Sequence, residues 1–263
     1  MAGLADDWVE NRQTCVDVLC AYLRMPYEPN PGQDASAPQR LAFQASREVR
    51  HTVIRVIDAH LKNDAAVRWH GLNFDFTGVV FDGGEFTGAQ FTGGLVSFAR
   101  AQFTGGPVLF GDVQFSGAEV NFTDAQFTDG TVYLSGARFY GSTVYFVHVQ
   151  FSGATVHFGG AQFTDGTVYF SGAEFSAGVV DFSFAEFSGA TVSFGDAKFS
   201  GGRVDFTAIK FSGGTADFRG AQFTGGTVDF RRPGDWSFPP KFSWTDTPPS
   251  GVKLPRKEDQ SQP

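Results

Sequence analysis

The sequence predicts a mainly β fold in which one chain winds into a parallel β-helix, capped at its N-terminal end by an α-helical hairpin. Three observations predict it. Phe recurs in two interleaved series, each with a spacing of 12 residues. The residue two places before each Phe is almost always Val in one series and mostly Ala in the other. Ser or Thr and then Gly usually follow the Phe. A period sustained over so many copies marks a repeat architecture.

Composition sets the frame. The chain has 263 residues and a formal charge of −8, with 31 Phe, 33 Gly and only two Cys. That length can bury a sizeable core. The composition excludes a collagen, a disulfide-framed mini-protein and a basic nucleic-acid binder. So many Phe residues demand an interior, despite a glycine content that would otherwise suggest disorder.

Residues 1–71 read as the helical cap. Met1 to Glu10 carries Asp6, Asp7 and Glu10 and no basic run before an apolar stretch, so it does not read as a secretory leader. Residues 5–25 place Trp8, Cys15, Leu19 and Leu23 near one helical face, and Pro26 ends the pattern. Residues 39–62 place Val49, Val53, Val56, Ile57, His60 and Leu61 on another. Between them, residues 26–38 are rich in Pro, Gly, Asn and Asp and read as a mobile loop. Cys15 and Cys20, five residues apart, would lie about 140° apart on a helix. They are too divergent for a disulfide and are expected to be small core side chains of a reduced, cytoplasmic protein.

Residues 72–230 read as the solenoid. One Phe series runs from Phe86 through Phe98 and Phe110 to Phe230, broken once, at Leu134. The other runs from Phe91 to Phe223 without a break. They interleave in steps of five and seven residues, and before Phe91 the step is five throughout. Apolar residues at i−2 and i around a polar one form a short strand with one face inside. The Gly that follows lets the chain turn. A coil of 12 residues has a perimeter of about 40 Å and sides of about 10 Å, with no room for two Phe, a Val and an Ala. A coil of 24 residues, with sides of five, seven, five and seven and four inward Phe, fits. The tract then forms about six and a half coils over roughly 31 Å.

The unit Ala-x-Phe-Ser-Gly, alternating with Val-x-Phe-Ser-Gly after a two-residue insert, resembles the pentapeptide repeat family. The resemblance covers about residues 72–230. It implies a right-handed quadrilateral β-helix. The segments 12–26 and 47–57 are similar to the helical region that precedes the repeats in actinobacterial members, some of which carry membrane segments further upstream. The present chain would then be a soluble form. One branch of the family protects DNA gyrase by mimicking duplex DNA, so the resemblance also implies a possible type II topoisomerase partner.

Residues 231–263 read as the C-terminal cap. Trp236, Phe238, Phe242 and Trp244 lie among Pro239, Pro240, Pro248 and Pro249. The aromatics can cover the last coil, and prolines block its open edge. From about Lys253 the tail is polar and is expected to be disordered.

No catalytic chemistry is legible. The five His residues form no ligand-spaced cluster, and no cofactor or metal motif is present. The Ser and Thr residues recur at turns. The surface is the remaining evidence. Residues 74–230 hold fifteen acidic and six basic residues, a net of −9. In a 24-residue coil, Leu109, Tyr133, His157, Asp181, Asp205 and Asp229 form one outward column that turns acidic, with Arg203 nearby. Tyr145, in a charge-free window from Phe139 to Thr164 that also holds Tyr140 and His148, should stack on Tyr169 just beyond it. That window is long enough to span a bilayer, but its even spread of Gly, Ser, Thr, Gln and His argues against a membrane span. The candidate interaction surface is therefore Asp181, Asp205, Asp229, Tyr145, Tyr169 and His157. The function expected is a non-catalytic scaffold or protein-interaction module. The alternative is an acidic DNA-mimic rod on DNA gyrase, although roughly 31 Å covers only about nine base pairs. An enzyme stands third. The partner and the oligomeric state are not legible.

Overall fold

A computed structural model describes residues 2–28, 31–245 and 247–260. The repeat tract is a parallel solenoid with four sides. In one full coil the first side is Leu95–Ser97, the second Gln102–Phe103, the third Val108–Leu109 and the fourth Gln114–Ser116. Glu119–Asn121 then starts the next coil by pairing with Leu95–Ser97. The register confirms a coil of 24 residues, as in Thr143↔Thr167 and Phe127↔Phe151. The first side stacks seven strands and the fourth stacks six. The second and third sides share one sheet because Gln150–His157 and Glu174–Asp181 run unbroken round their corner.

Every Phe of both series is inward, and all but Phe223 are buried. Their rings form four columns, one per side. Centroid spacings run from 4.2 Å (Phe194–Phe218) to 5.5 Å (Phe187–Phe211), and the planes are near parallel. Rings of the first and third sides meet edge to face across the centre, as in Phe146 and Phe158 at 5.7 Å and 87°. Offset-parallel and perpendicular pairs are the favoured aromatic geometries. Leu134 keeps the third-side column filled at its one interruption and is 1% exposed. The seven-residue corners need glycine. Gly214 has φ +72, and a Cβ there would meet the Ala190 carbonyl oxygen at 2.0 Å.

The first coil is two residues shorter. Phe74 pairs with Val96 and Phe81 with Phe103, an offset of 22, whereas Gly84 pairs with Val108, an offset of 24. The missing insert therefore lies between Phe81 and Phe86. The helical cap docks at this corner. A Cβ on Gly83 would meet His51 at 3.1 Å, and one on Gly84 would meet Ile54 at 3.2 Å. The local break in the repeat is the seat of the cap.

Three helices make that cap: α1 (Ala2–Asp7), α2 (Arg12–Arg24) and α3 (Ala37–Leu61). The helix expected over 5–25 breaks at Trp8, which leaves helical φ/ψ. Trp8 is 49% exposed rather than in the core. Arg12 Nε donates to the Ala5 carbonyl (2.9 Å), satisfying the open end of α1. Cys15, Leu19 and Leu23 are buried as expected, together with Val16 and Cys20. Helix α3 begins at Ala37 because Ser36 and Gln39 form a capping box. It buries Val53, Ile54, Ile57 and Leu61, while Val49 faces outward. Of the mobile loop expected over 26–38, residues 29 and 30 lie outside the described residues. Among the described residues, no helix is long and apolar enough to cross a membrane.

The Phe period stops at Phe230, but the winding does not. Asp235 bridges Lys210, Lys241 bridges Asp217, and Val252–Lys253 pairs with Val228 and Asp229. The C-terminal segment is thus one more, irregular coil. Trp236 packs edge-on to Phe211, Phe242 lies on Phe218, and Trp244 packs edge-on to Phe223. Three ring columns each end on one aromatic. Phe238 does not take part in this cover and is 52% exposed. The tail expected to be disordered from Lys253 instead begins within a strand and continues as a 3₁₀ turn at Lys257–Gln260.

Phe158→Ala should lower the unfolding free energy by about 3–5 kcal/mol. Gln162→Ala, on an outward position, should lower it by less than about 0.5 kcal/mol. Denaturant titration of both variants tests the inward assignment, and equal midpoints would overturn it.

Candidate functional surface

The outward column on the third side forms as the spacing predicts. Glu85, Leu109, Tyr133, His157, Asp181, Asp205, Asp229 and Lys253 are successive Cα partners. Its carboxylates are engaged within the chain. Asp181 accepts from the Ser183 N–H (2.8 Å), Asp205 from Thr207 (2.9 Å) and Asp229 from Arg231 (3.1 Å). The same i→i+2 bond recurs at Asn121, Asp217 and Asp235. The aspartates therefore build the turn after each strand, which is why the residue type recurs.

Two of the three carboxylates are also paired with arginine: Arg203 with Asp205, and Arg231 with Asp229 at 2.6 Å, while His157 Nδ1 lies 3.5 Å from Asp181. The hydrogen bond from Arg231 holds the Asp229 carboxyl below the usual carboxylate range, against the opposing effect of burial. Burial pushes Asp205 up, but bonds from Thr207 and Arg203 outweigh it and bring the net below the ordinary value. Asp229 is 2% exposed and presents no charge to a partner. The expected exposed acidic ladder is corrected to a largely self-neutralised one.

Tyr145 and Tyr169 stack as expected, at 5.4 Å and 10°, on the first side. His157 stacks on Tyr133 at 5.2 Å on the third side. The first and third sides face opposite ways, so the tyrosine pair and the His157–aspartate column are two separate surfaces. Tyr140 lies on the fourth side, 59% exposed, and His148 at a corner beside Asp124.

Phe184 went unread in the sequence. It is 70% exposed and has φ +58. The equivalent corner one coil earlier is Gly160 and one coil later Ala208. The left-handed corner recurs along the solenoid, as at Arg100, Asp112, Asp124, His148, Asp196, Ala208 and Arg232, so what sets Phe184 apart is its exposed ring. Its signal was available: Phe184 is the one Phe between Phe86 and Phe230 that belongs to neither series.

The polar junction between cap and solenoid was also missed. Asp82 is 7% exposed. It accepts from Tyr27 Oη (2.7 Å) and Arg47 Nε (2.9 Å), and His51 Nε2 lies 3.0 Å from its other oxygen. Arg50 donates to the Leu23 and Val80 carbonyls and lies 4.2 Å above the Tyr27 ring. Burial would raise the Asp82 carboxyl, but the bonds from His51 and Tyr27 and the charge of Arg47 carry it below the ordinary value. His60 stacks on the fully buried Trp69 at 4.0 Å. His51 and His60, both on α3, therefore contact neighbouring elements.

The fold and the surface define a class: a parallel solenoid whose interior is set by one inward Phe on each of four sides, with its polar chemistry confined to corners and outer columns. Residues 122–174 match the family model described as pentapeptide repeats, nine copies. Residues 122–174 carry pentapeptide repeats, and the same strand register runs on through the coils on either side of that segment. No curated protein matches the chain. Two solved structures of trypsin-treated variants of QnrB1, a plasmid-mediated fluoroquinolone resistance protein, are similar at 19% and 17% identity. Each covers 73% of this chain, against 86% and 85% of theirs, with TM-scores of 0.22 and 0.20. A likeness at those scores carries no statement about a shared partner.

Asp82→Asn should destabilise the cap by about 1–3 kcal/mol at neutral pH. A carboxyl held below its unfolded value contributes fully above that value, and the contribution disappears as pH falls through the folded value. The wild type should therefore begin to lose its advantage over Asp82→Asn as pH falls below about 4. Paired melts at pH 7 and pH 3 check this. A pH-independent difference would assign the effect to packing.

Proposed function

We propose that this chain is a non-catalytic scaffold that presents an outer corner of its solenoid to a protein partner. The observation that carries the reading is Phe184. A side chain this large, held in the left-handed region, costs about 1–2 kcal/mol, and 70% of it faces water. The corner conformation is common to the solenoid, and the large apolar ring set in water there is what motivates a functional hypothesis. Exposed aromatics that order little entropy are common interface anchors. Asp181 and Glu186 lie three residues before and two after it, so the partner surface would be apolar with a basic rim. The Tyr145–Tyr169 pair, Tyr140 and His157 are secondary contacts in this reading, on other sides of the rod.

The filled interior supports a role without catalysis, because stacked rings leave the solenoid core no substrate cavity. Free, buried Cys15 and Cys20 support a reducing, cytoplasmic location. Burial pushes the Cys20 thiol up to about 12, which makes it inert as a nucleophile. A gyrase-directed DNA mimic draws support from the net −9 of residues 74–230. It is weakened by the intramolecular pairing of the aspartate ladder, since a mimic of duplex DNA needs unpaired surface charge.

Phe184→Gly should leave stability within about 1 kcal/mol of wild type, because relief of backbone strain offsets the added chain entropy. It should also remove the specific partner from co-purifications. An unchanged partner set with a folded variant would overturn the anchor. Gyrase supercoiling inhibited by micromolar protein, and unaffected by Phe184→Gly, would instead favour the DNA mimic.

A further inference from the structure

The C-terminal coil gathers a basic cluster on an otherwise acidic rod. Arg231, Arg232, Arg256 and Asp259 line a cavity of about 300 Å³. Residues 231–263 hold six basic and four acidic residues, a net of +2, against −9 for residues 74–230. Arg231 is oriented from below. Its Nε and Nη2 donate to the two oxygens of Asp229 at 2.9 and 2.6 Å, and Asp229 itself is 2% exposed. That bidentate grip leaves the Nη1 hydrogens of Arg231 uncommitted. Arg232 occupies the next corner, φ +53, with its carbonyl accepting from the Ala208 N–H at 2.9 Å. Among the described residues, its guanidinium forms no ion pair. Arg256 reaches Glu258 only at 3.4 Å. Asp259 is turned to the backbone, accepting from the Arg256 N–H at 3.2 Å. Lys253, the Cα partner of Asp229, adds a further positive charge.

We propose that this cavity binds a phosphoryl dianion. Three arginines from two separate stretches of chain line one space, and one of them is pre-oriented by a buried carboxylate. Arginine forks match phosphate oxygens in pairs. A tetrahedral dianion can accept from three directions at once, and three arginines against the single Asp259 carboxylate leave the lining net positive, which attracts a dianion more than a monoanion. A planar monoanion such as acetate does neither. The phosphoryl group can come from free phosphate or from a phosphorylated side chain of a partner protein.

The test is calorimetric titration of the full chain with inorganic phosphate and separately with a short phosphoserine peptide. Acetate at matched ionic strength and the unphosphorylated peptide are the controls. Arg232→Ala and Arg256→Ala are compared with wild type. Arg232 is exposed, and Ala208 holds the same corner one coil earlier, so R232A places there a residue the fold already accepts. Saturable phosphate binding is expected, weakened about tenfold in each variant, as loss of one charged hydrogen bond implies. Tighter binding of the phosphoserine peptide than of free phosphate would assign the source to a protein. The reverse order would assign it to the free anion. Equal heats with acetate, no saturation, or unaltered binding in folded R232A and R256A would overturn the proposal. It stands apart from the Phe184 corner, since neither variant touches that residue.

Discussion

The stacking of phenyl rings along the axis is the constraint on which everything else rests. Strands in a parallel ladder repeat at about 4.8 Å. The rings repeat at 4.2–5.5 Å, so the spacing that satisfies the backbone hydrogen bonds also stacks the side chains. The shortened first coil keeps both, with Phe81 stacked on Phe103 at 5.2 Å, because its missing residues fall at a corner. Beyond it, identical residues recur every 24 positions. This is why a composition rich in Gly and Phe, which alone would suggest a flexible or aggregating chain, yields one defined interior. Perpendicular contacts between opposite sides occupy the centre.

The ends of such a stack carry its strongest structural demands. At the N-terminal end the repeat omits two residues, and α3 fills the space against Gly83 and Gly84. The polar groups exposed there are gathered on Asp82, which ties Tyr27, Arg47 and His51 to the first coil. At the C-terminal end the phenyl columns are closed by Trp236, Phe242 and Trp244 on a final coil that keeps the path but loses the period. Irregularity in the sequence marks a point of attachment in both cases.

The surface shows the same repeat put to a different use. Aspartate before the turn is a structural residue at most positions, since its carboxylate accepts the N–H two residues on. What distinguishes one coil from another is the departure from the pattern: a phenylalanine at a corner where its neighbours have Gly or Ala, and a pair of arginines at the last corner. Those departures carry no packing advantage to the solenoid. They are where a function confined to the outside of the rod would be written.

How much was legible follows from the range of the interactions involved. The winding, the inward residues and the vertical columns were readable because alternation along a strand and a constant period need only local spacing. Thus His157, Asp181, Asp205 and Asp229 could be aligned from their numbers alone, as could Tyr145 and Tyr169. The sequence also carried the Phe184 signal, a phenylalanine outside both series, which pattern-matching toward regularity passed over. What only the tertiary structure decided was burial and pairing across elements with no shared period. It placed Asp229 under Arg231, set the tyrosine pair on the opposite side from the aspartates, and brought His51 to Asp82. Those contacts depend on how corners turn and how a helix seats on one coil, and no repeat spacing encodes either.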